Sequence, residues 1–207
     1  MLKLAMPKGR APSRSEAARE HALETASRLF YREGVRAIGM EQIVEASGIA
    51  KTTIYRHFAT KDALVEAFLA REDEAFWRQW DDAIKPFPTD ARAALMALCD
   101  WIGGKVLKPG YRGCPQINVA AEFADPFHPA RLVAKRHKAE MHRRLTELCG
   151  KLDVGDPVVV AMQIGLLFDG AFMSDGRLEK QNARKLLREA VTKLIGMKPL
   201  KGASGKC

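Results

Sequence analysis

Residues 30–61, FYREGVRAIGMEQIVEASGIAKTTIYRHFATK, decide the fold. Met40, Ile43, Val44 and Ser47 recur there at helical spacing and stop at Gly48. Ile49 follows, and then a second short pattern over 51–58 turns Ile54 and Phe58 inward. Two short helices separated by a Gly-Ile turn make a helix-turn-helix. Gly48 suits that turn because its backbone angle is costly for any residue that carries a Cβ.

On the N-terminal side, Ser13 and Glu16 fit a capping box, in which each side chain bonds the other residue's backbone N–H. Ala22, Leu23, Ala26, Leu29 and Phe30 then form one apolar stripe, predicting a helix over about 16–33 closed by Gly34. Residues 1–12 hold Lys3, Lys8 and Arg10 and no acid, and read as a flexible basic arm. On the C-terminal side, Thr60 can cap a long helix whose stripe runs from Ala63, Leu64, Ala67, Phe68 and Ala70 to Phe76, Trp77 and Trp80, ending at Pro86 and Pro88. Further helices are predicted over about 90–107, 115–123, 129–149, 157–173 and 182–195. Pro115, Pro129 and Pro157 stand where a first-turn proline is tolerated. The sum is an all-α chain of about nine helices. Its expected organisation is a flexible arm (1–12), a three-helix helix-turn-helix domain (13–62), a helical bundle (63–196) and a flexible tail (197–207).

Composition narrows the classes. With 207 residues, 47% hydrophobic and 29% charged, the chain can bury a core, which excludes wholesale disorder. No uncharged apolar run approaches the ~18–20 residues of a membrane helix, and the N-terminus lacks a stretch of signal-peptide length, so a cytoplasmic protein is expected. Cys99, Cys114, Cys149 and Cys207 are far apart, with neither a disulfide framework nor zinc-site spacing. The net charge of +9 invites a nucleic-acid reading, yet residues 11–70 carry equal numbers of basic and acidic side chains. What bears on DNA is local: 48–60 is free of acids, contains Lys51 and Arg56, and is followed by Lys61.

The segment resembles the DNA-binding region of the tetracycline-repressor (TetR) family of bacterial transcriptional regulators. Phe30, Gly34, Ile43, Val44, the Ser47-Gly48-Ile49 turn, Lys51, Thr53, Ile54, Tyr55, His57, Phe58 and the run from Lys61 to Leu64 carry the likeness. It is close over about 17–69; beyond, only length, helicity and helix order match. A short helix at 51–58 can enter a major groove. Thr53 offers a hydroxyl and a methyl, Lys51 a cation, Arg56 a planar fork for guanine O6 and N7, and Thr52 a further hydroxyl. The resemblance implies that Tyr55 and His57 bond phosphates and that Lys61 clamps the backbone. Where the family usually has Thr or Ser before the second helix, this chain has Ile38, Gly39 and Met40. Gly remains an acceptable cap, and Gln42 is the candidate to replace the lost hydroxyl–phosphate contact.

The resemblance further implies an effector-binding and dimerisation domain, the last two long helices pairing with those of a second copy. It implies a bacterial regulator, nucleoid-associated when bound to its operator. Small residues Gly165, Gly170 and Ala171 would permit close helix approach. Candidate pocket residues are Trp77, Trp80, Met96, Trp101, Cys114, Gln116, Asn118, Phe123, Phe168 and Phe172, although aromatic and Met stripes at helical spacing serve equally as core. Cys114 precedes a helix start near Arg112, a placement that can lower a thiol pKa; the alternative is a buried, inert thiol. His137 and His142 stand five apart, off the spacing for two ligands on one helix face, and are read with His128 as surface histidines, so neither metal nor cofactor is expected.

These observations support a dimeric one-component regulator, a repressor binding a pseudo-palindromic operator and released by a small ligand. A constitutive DNA-binding or architectural dimer without an effector is the alternative. No Ser-His-Asp grouping, Gly-rich phosphate loop or HExxH supports an enzyme.

Overall fold

The computed structural model describes residues 13–174 and 183–196, so the arm at 1–12 and the tail at 197–207 lie outside the described residues. Nine α-helices and no strand occur among the described residues. Several begin where a local signal places them. For α1 (Arg14–Glu33), Ser13 Oγ accepts from the Glu16 N–H at 3.2 Å, and Glu16 returns the bond to the Ser13 N–H at 2.6 Å. This starts the helix two residues earlier than its apolar stripe suggests. Asp90 caps α5 (Ala91–Lys105), and Asp156 caps α8 (Pro157–Phe172) through the N–H groups of Val158 and Val159. Prolines open α6 (Pro115–Glu122), α7 (Pro129–Cys149) and α8. The remaining helices are α2 (Met40–Ser47), α3 (Lys51–His57), α4 (Lys61–Ile84) and α9 (Ala183–Gly196).

The chain divides into two units between Phe68 and Leu69, inside α4. In the first, Phe30, Val35, Ile38, Ile43, Ile54, Phe58 and Phe68 are at most 3% exposed. Each fully buried side chain of this size contributes ~1.5–3 kcal/mol. This core fixes α2 and α3 against α1.

In the second unit α5 packs on α9, α7 on α6 and α8, and α8 on α9. Trp80, Leu95, Leu98, Ile102, Leu145 and Phe168 are fully buried at its centre. His137, read from sequence as a surface histidine, belongs to this interior. It follows Val133 and Ala134 and precedes Met141 and Leu145 on the buried face of α7. Its Nδ1 lies 2.6 Å from Asp73 Oδ1, to which Trp77 Nε1–H also donates at 2.9 Å. Burial holds the imidazole below its ordinary pKa, against the opposing pull of Asp73.

Candidate nucleic-acid interface

The helix-turn-helix is held by its own turn. Gly48 adopts the left-handed conformation at φ 65°, and its N–H bonds Val44 O and Glu45 O. Ser47 Oγ donates to Val44 O and accepts from the Ile49 N–H. His21 of α1 reaches Ser47 O at 3.1 Å, tying the turn to the neighbouring helix. Thr60 Oγ1 accepts from the Ala63 N–H at 3.1 Å and caps α4, which places Lys61 at that helix's first position.

With Ile54 and Phe58 facing the core, the rest of α3 is turned outward. Thr52 and Arg56 are exposed, Thr53 and Tyr55 half-buried, and Lys61 half-exposed. Arg56 and Lys61 make no ion pair among the described residues, so their charges are unspent. Lys51 differs: its Nζ donates to Glu41 Oε1 at 3.0 Å, and the ammonium lies 5.8 Å from the Tyr55 ring centroid. That contact holds the Glu41 carboxyl below its usual range and the Lys51 amine above its own. The stretch that is acid-free in sequence therefore has an acid beside it in space. His57 Nε2 stands 3.3 Å from Ser15 Oγ of α1, half-buried.

The amide oxygen of exposed Gln42 is engaged within its own helix. Its Oε1 accepts from the Gly39 N–H at 2.6 Å, so it supplies the N-terminal cap that Gly39 lacks. Gln at the third helical position after a cap residue is a recognised sequence signal for this bond, here carried by a glycine cap.

The expected pocket residues do not form one wall. Trp80, Phe168 and Phe172 are fully buried core. Trp77 and Trp101 pack on Phe76, with ring centroids 4.9 and 5.1 Å away. Phe123 stacks on His128 at 3.7 Å, and Asn118 Nδ2–H donates to Arg112 O. Met96 borders a cavity of about 630 Å³ with Arg184, Arg188 and Thr192. Gln116 borders another of about 590 Å³, between α6, α7 and the end of α8. Cys114, considered as a reactive thiol, is 5% exposed, and burial pushes its pKa up. Cys99 and Cys149 are likewise buried, pushed up to about 12 and about 11. Among the described residues no group of three or more His, Cys, Asp and Glu side chains gathers to hold a metal ion, and no helix is long and apolar enough to cross a membrane.

A three-helix helix-turn-helix unit carrying an outward-facing second helix, followed by an all-helical unit, defines a transcriptional regulator that binds DNA. The family profile described as "Bacterial regulatory proteins, tetR family" matches residues 22–68. A solved TetR-family transcriptional regulator from Streptomyces coelicolor shares 30% identity and superposes with a TM-score of 0.80, over 86% of this chain and 94% of that one. The chain belongs to the TetR family. An HTH-type transcriptional regulator of Mycobacterium tuberculosis is 36% identical over 66 residues, a match spanning about a third of either chain, 32% of this one and 33% of the relative. The HTH-type transcriptional repressor NemR of Escherichia coli is 23% identical over 108 residues, 52% of this chain and 54% of the relative. The family is one of transcriptional regulators, not enzymes.

Proposed function

We propose that this protein is a dimeric repressor that binds a pseudo-palindromic operator in the cytoplasm and leaves it when a small ligand binds the helical domain. One observation carries the DNA-binding half. Arg56 and Thr52 project from a helix whose other face is locked into the core, and neither they nor Lys61 are engaged by an acid among the described residues. Arg56 reads a base edge, with Thr52, Thr53 and Lys51 beside it, Lys51 exchanging Glu41 for DNA. Tyr55, His57 and Lys61 bond phosphates and set the register without reading sequence. Gln42 acts at one remove, by capping α2.

Support for the dimer comes from α8. Val158, Val159, Met162 and Leu166 are 47–69% exposed along one side of the helix. Leu186 of α9 is 49% exposed, and the groove between the two helices is apolar. Gly170 has nothing within 4 Å of where its Cβ would stand, leaving room for a facing helix. A continuous exposed apolar stripe of this kind marks an interface. Pairing α8 and α9 with those of a second copy presents two α3 helices, so the operator mirrors the protein's two-fold symmetry. The ligand acts by binding one of two conformations more tightly. The repressor assignment draws on relatives named as repressors, NemR among them.

Selection of bound duplexes from random DNA tests this reading. The expected product is an inverted repeat, and Arg56→Ala relaxes the preference at one position per half-site, where a bidentate contact discriminates by ~1–3 kcal/mol. Recovery of no inverted repeat, or an unchanged preference in Arg56→Ala, refutes it.

A further inference from the structure

The cavity between α6, α7 and the end of α8 is lined by unlike groups. One is Gln116, 2% exposed. Its Nε2–H donates to Leu69 O at 2.9 Å, which settles the orientation of the amide, because a carbonyl requires a donor. The Oε1 atom is left as a buried acceptor without a partner. A native interior rarely tolerates such an atom, because desolvating it without a hydrogen bond is costly.

A second group is cationic. Arg131, Lys135 and Lys138 of α7 all border the cavity. Lys138 is neutralised by Asp169 of α8. Among the described residues Arg131 donates to backbone carbonyls, those of Phe123 and Ala124. Neither Arg131 nor Lys135 makes an ion pair among the described residues, so two positive charges stand unbalanced at one cavity. Ile117, Ala120 and Ala134 add apolar surface to the lining. At about 590 Å³ the volume falls within the ~300–1,000 Å³ usual for a small-molecule site.

We propose that this cavity is the effector site and that it selects amphipathic carboxylic acids bearing a second, hydrogen-donating group such as a hydroxyl. The carboxylate sits against Arg131 and Lys135, the carbon skeleton lies on Ile117, Ala120 and Ala134, and the hydroxyl donates to Gln116 Oε1. The pattern excludes cationic ligands and disfavours those that offer Gln116 only an acceptor. This assignment rests on the ligand-released reading above, and it adds a chemical class and a location.

The test uses the full chain and three matched probe series of six to twelve carbons: ω-hydroxyalkanoates, alkanoates and α,ω-diols. Titration calorimetry at fixed ionic strength is expected to rank the hydroxy acids tightest. Removing either the hydroxyl or the carboxylate weakens binding by roughly tenfold, the scale of one charge-assisted or buried hydrogen bond. Because the hydroxyl requirement is read from the ligand, it does not depend on a Gln116 variant that folds. The charge requirement is read from Lys135→Gln, an exposed position, and Arg131→Gln, each narrowing the gap between hydroxy acid and diol. The proposal is overturned if no hydroxy acid binds, if diols bind as well as hydroxy acids, or if both variants keep the full acid preference. Operator binding is measured separately. Hydroxy acids that bind by these rules yet leave the operator complex intact refute the ligand-released reading and leave the site standing. Operator binding without any hydroxy-acid binding refutes the site alone.

Discussion

Replacing Gly103 with alanine places a methyl group where α5 touches α9. An added Cβ would lie 2.6 Å from the Arg184 backbone nitrogen and 2.7 Å from its Cα. Non-bonded heavy atoms rest at ~3.5–4.0 Å. Because the obstacle is backbone, relief requires α9 itself to move, and a close-packed interior resists that. Gly104 supplies the control. Its Cβ would meet the Nη2 end of the Arg184 side chain at 2.7 Å, and that end can swing into solvent. Both substitutions gain about 0.8–1 kcal/mol of helix propensity. Overpacking of the kind met at Gly103 costs ~1–3 kcal/mol. Gly103→Ala is therefore expected to fall below Gly104→Ala in stability by roughly 2 kcal/mol. In a chain of 207 residues that separates their melting temperatures by about 4–8 °C. Thermal unfolding at one fixed protomer concentration measures the difference, since dimerisation makes Tm depend on concentration. Since α9 forms half of the proposed dimer face, Gly103→Ala also raises the dimer dissociation constant and weakens operator binding, while Gly104→Ala does neither. Equal melting temperatures for the two variants would refute the reasoning.

Lys61→Ala removes one phosphate contact per half-site. The slope of log affinity against log salt then falls by ~0.9 per half-site, or ~1.8 for the dimer, at every sequence tested; an unchanged slope removes Lys61 from the interface. Buried His137 has its pKa depressed in the folded state, so the unfolded chain binds the extra proton. Stability is therefore complete above about pH 6.5 and declines as the pH falls through that value, with a slope of at most ~1.4 kcal/mol per pH unit for one proton. Urea denaturation between pH 8 and 5 reads this slope, which His137→Asn is expected to remove; a variant with the same slope places the proton elsewhere. Cys99, Cys114 and Cys149 are buried with raised pKa values, so a thiol reagent at pH 8 is expected to modify them only after denaturation. Rapid labelling of Cys114 in the native protein, located by peptide mass spectrometry, would show that its environment opens.

How far the structure was legible varies with the range of each interaction. The capping box at Ser13 and Glu16, the turn at Gly48 and the proline starts of α6, α7 and α8 are written in neighbouring residues, and the helices begin there. The Gln42 cap is equally local, since Gly39 and Gln42 stand three residues apart. His137 carried a readable signal too: it occupies a buried position in the stripe through Val133, Ala134 and Met141. Spacing from His142 alone concealed it. Trp80 and Phe168 were ambiguous in kind, because an apolar residue at helical spacing fits a core and a pocket equally well.

Periodicity, caps and turn residues act within four or five positions, so the chain's residues alone specify the nine helices of the described residues, a helix-turn-helix and an outward-facing α3. Contacts between distant residues depend on which helix faces meet, and only the folded packing decides them. Glu41 faces Lys51 across the turn, Asp73 meets His137 at a separation of 64 residues, and Leu69 engages one half of the Gln116 amide 47 residues away. The same packing leaves the other half of that amide without a partner and sets Arg131 and Lys135 beside the same cavity. Burial and charge pairing are sums over neighbours in space, which no window along the chain contains.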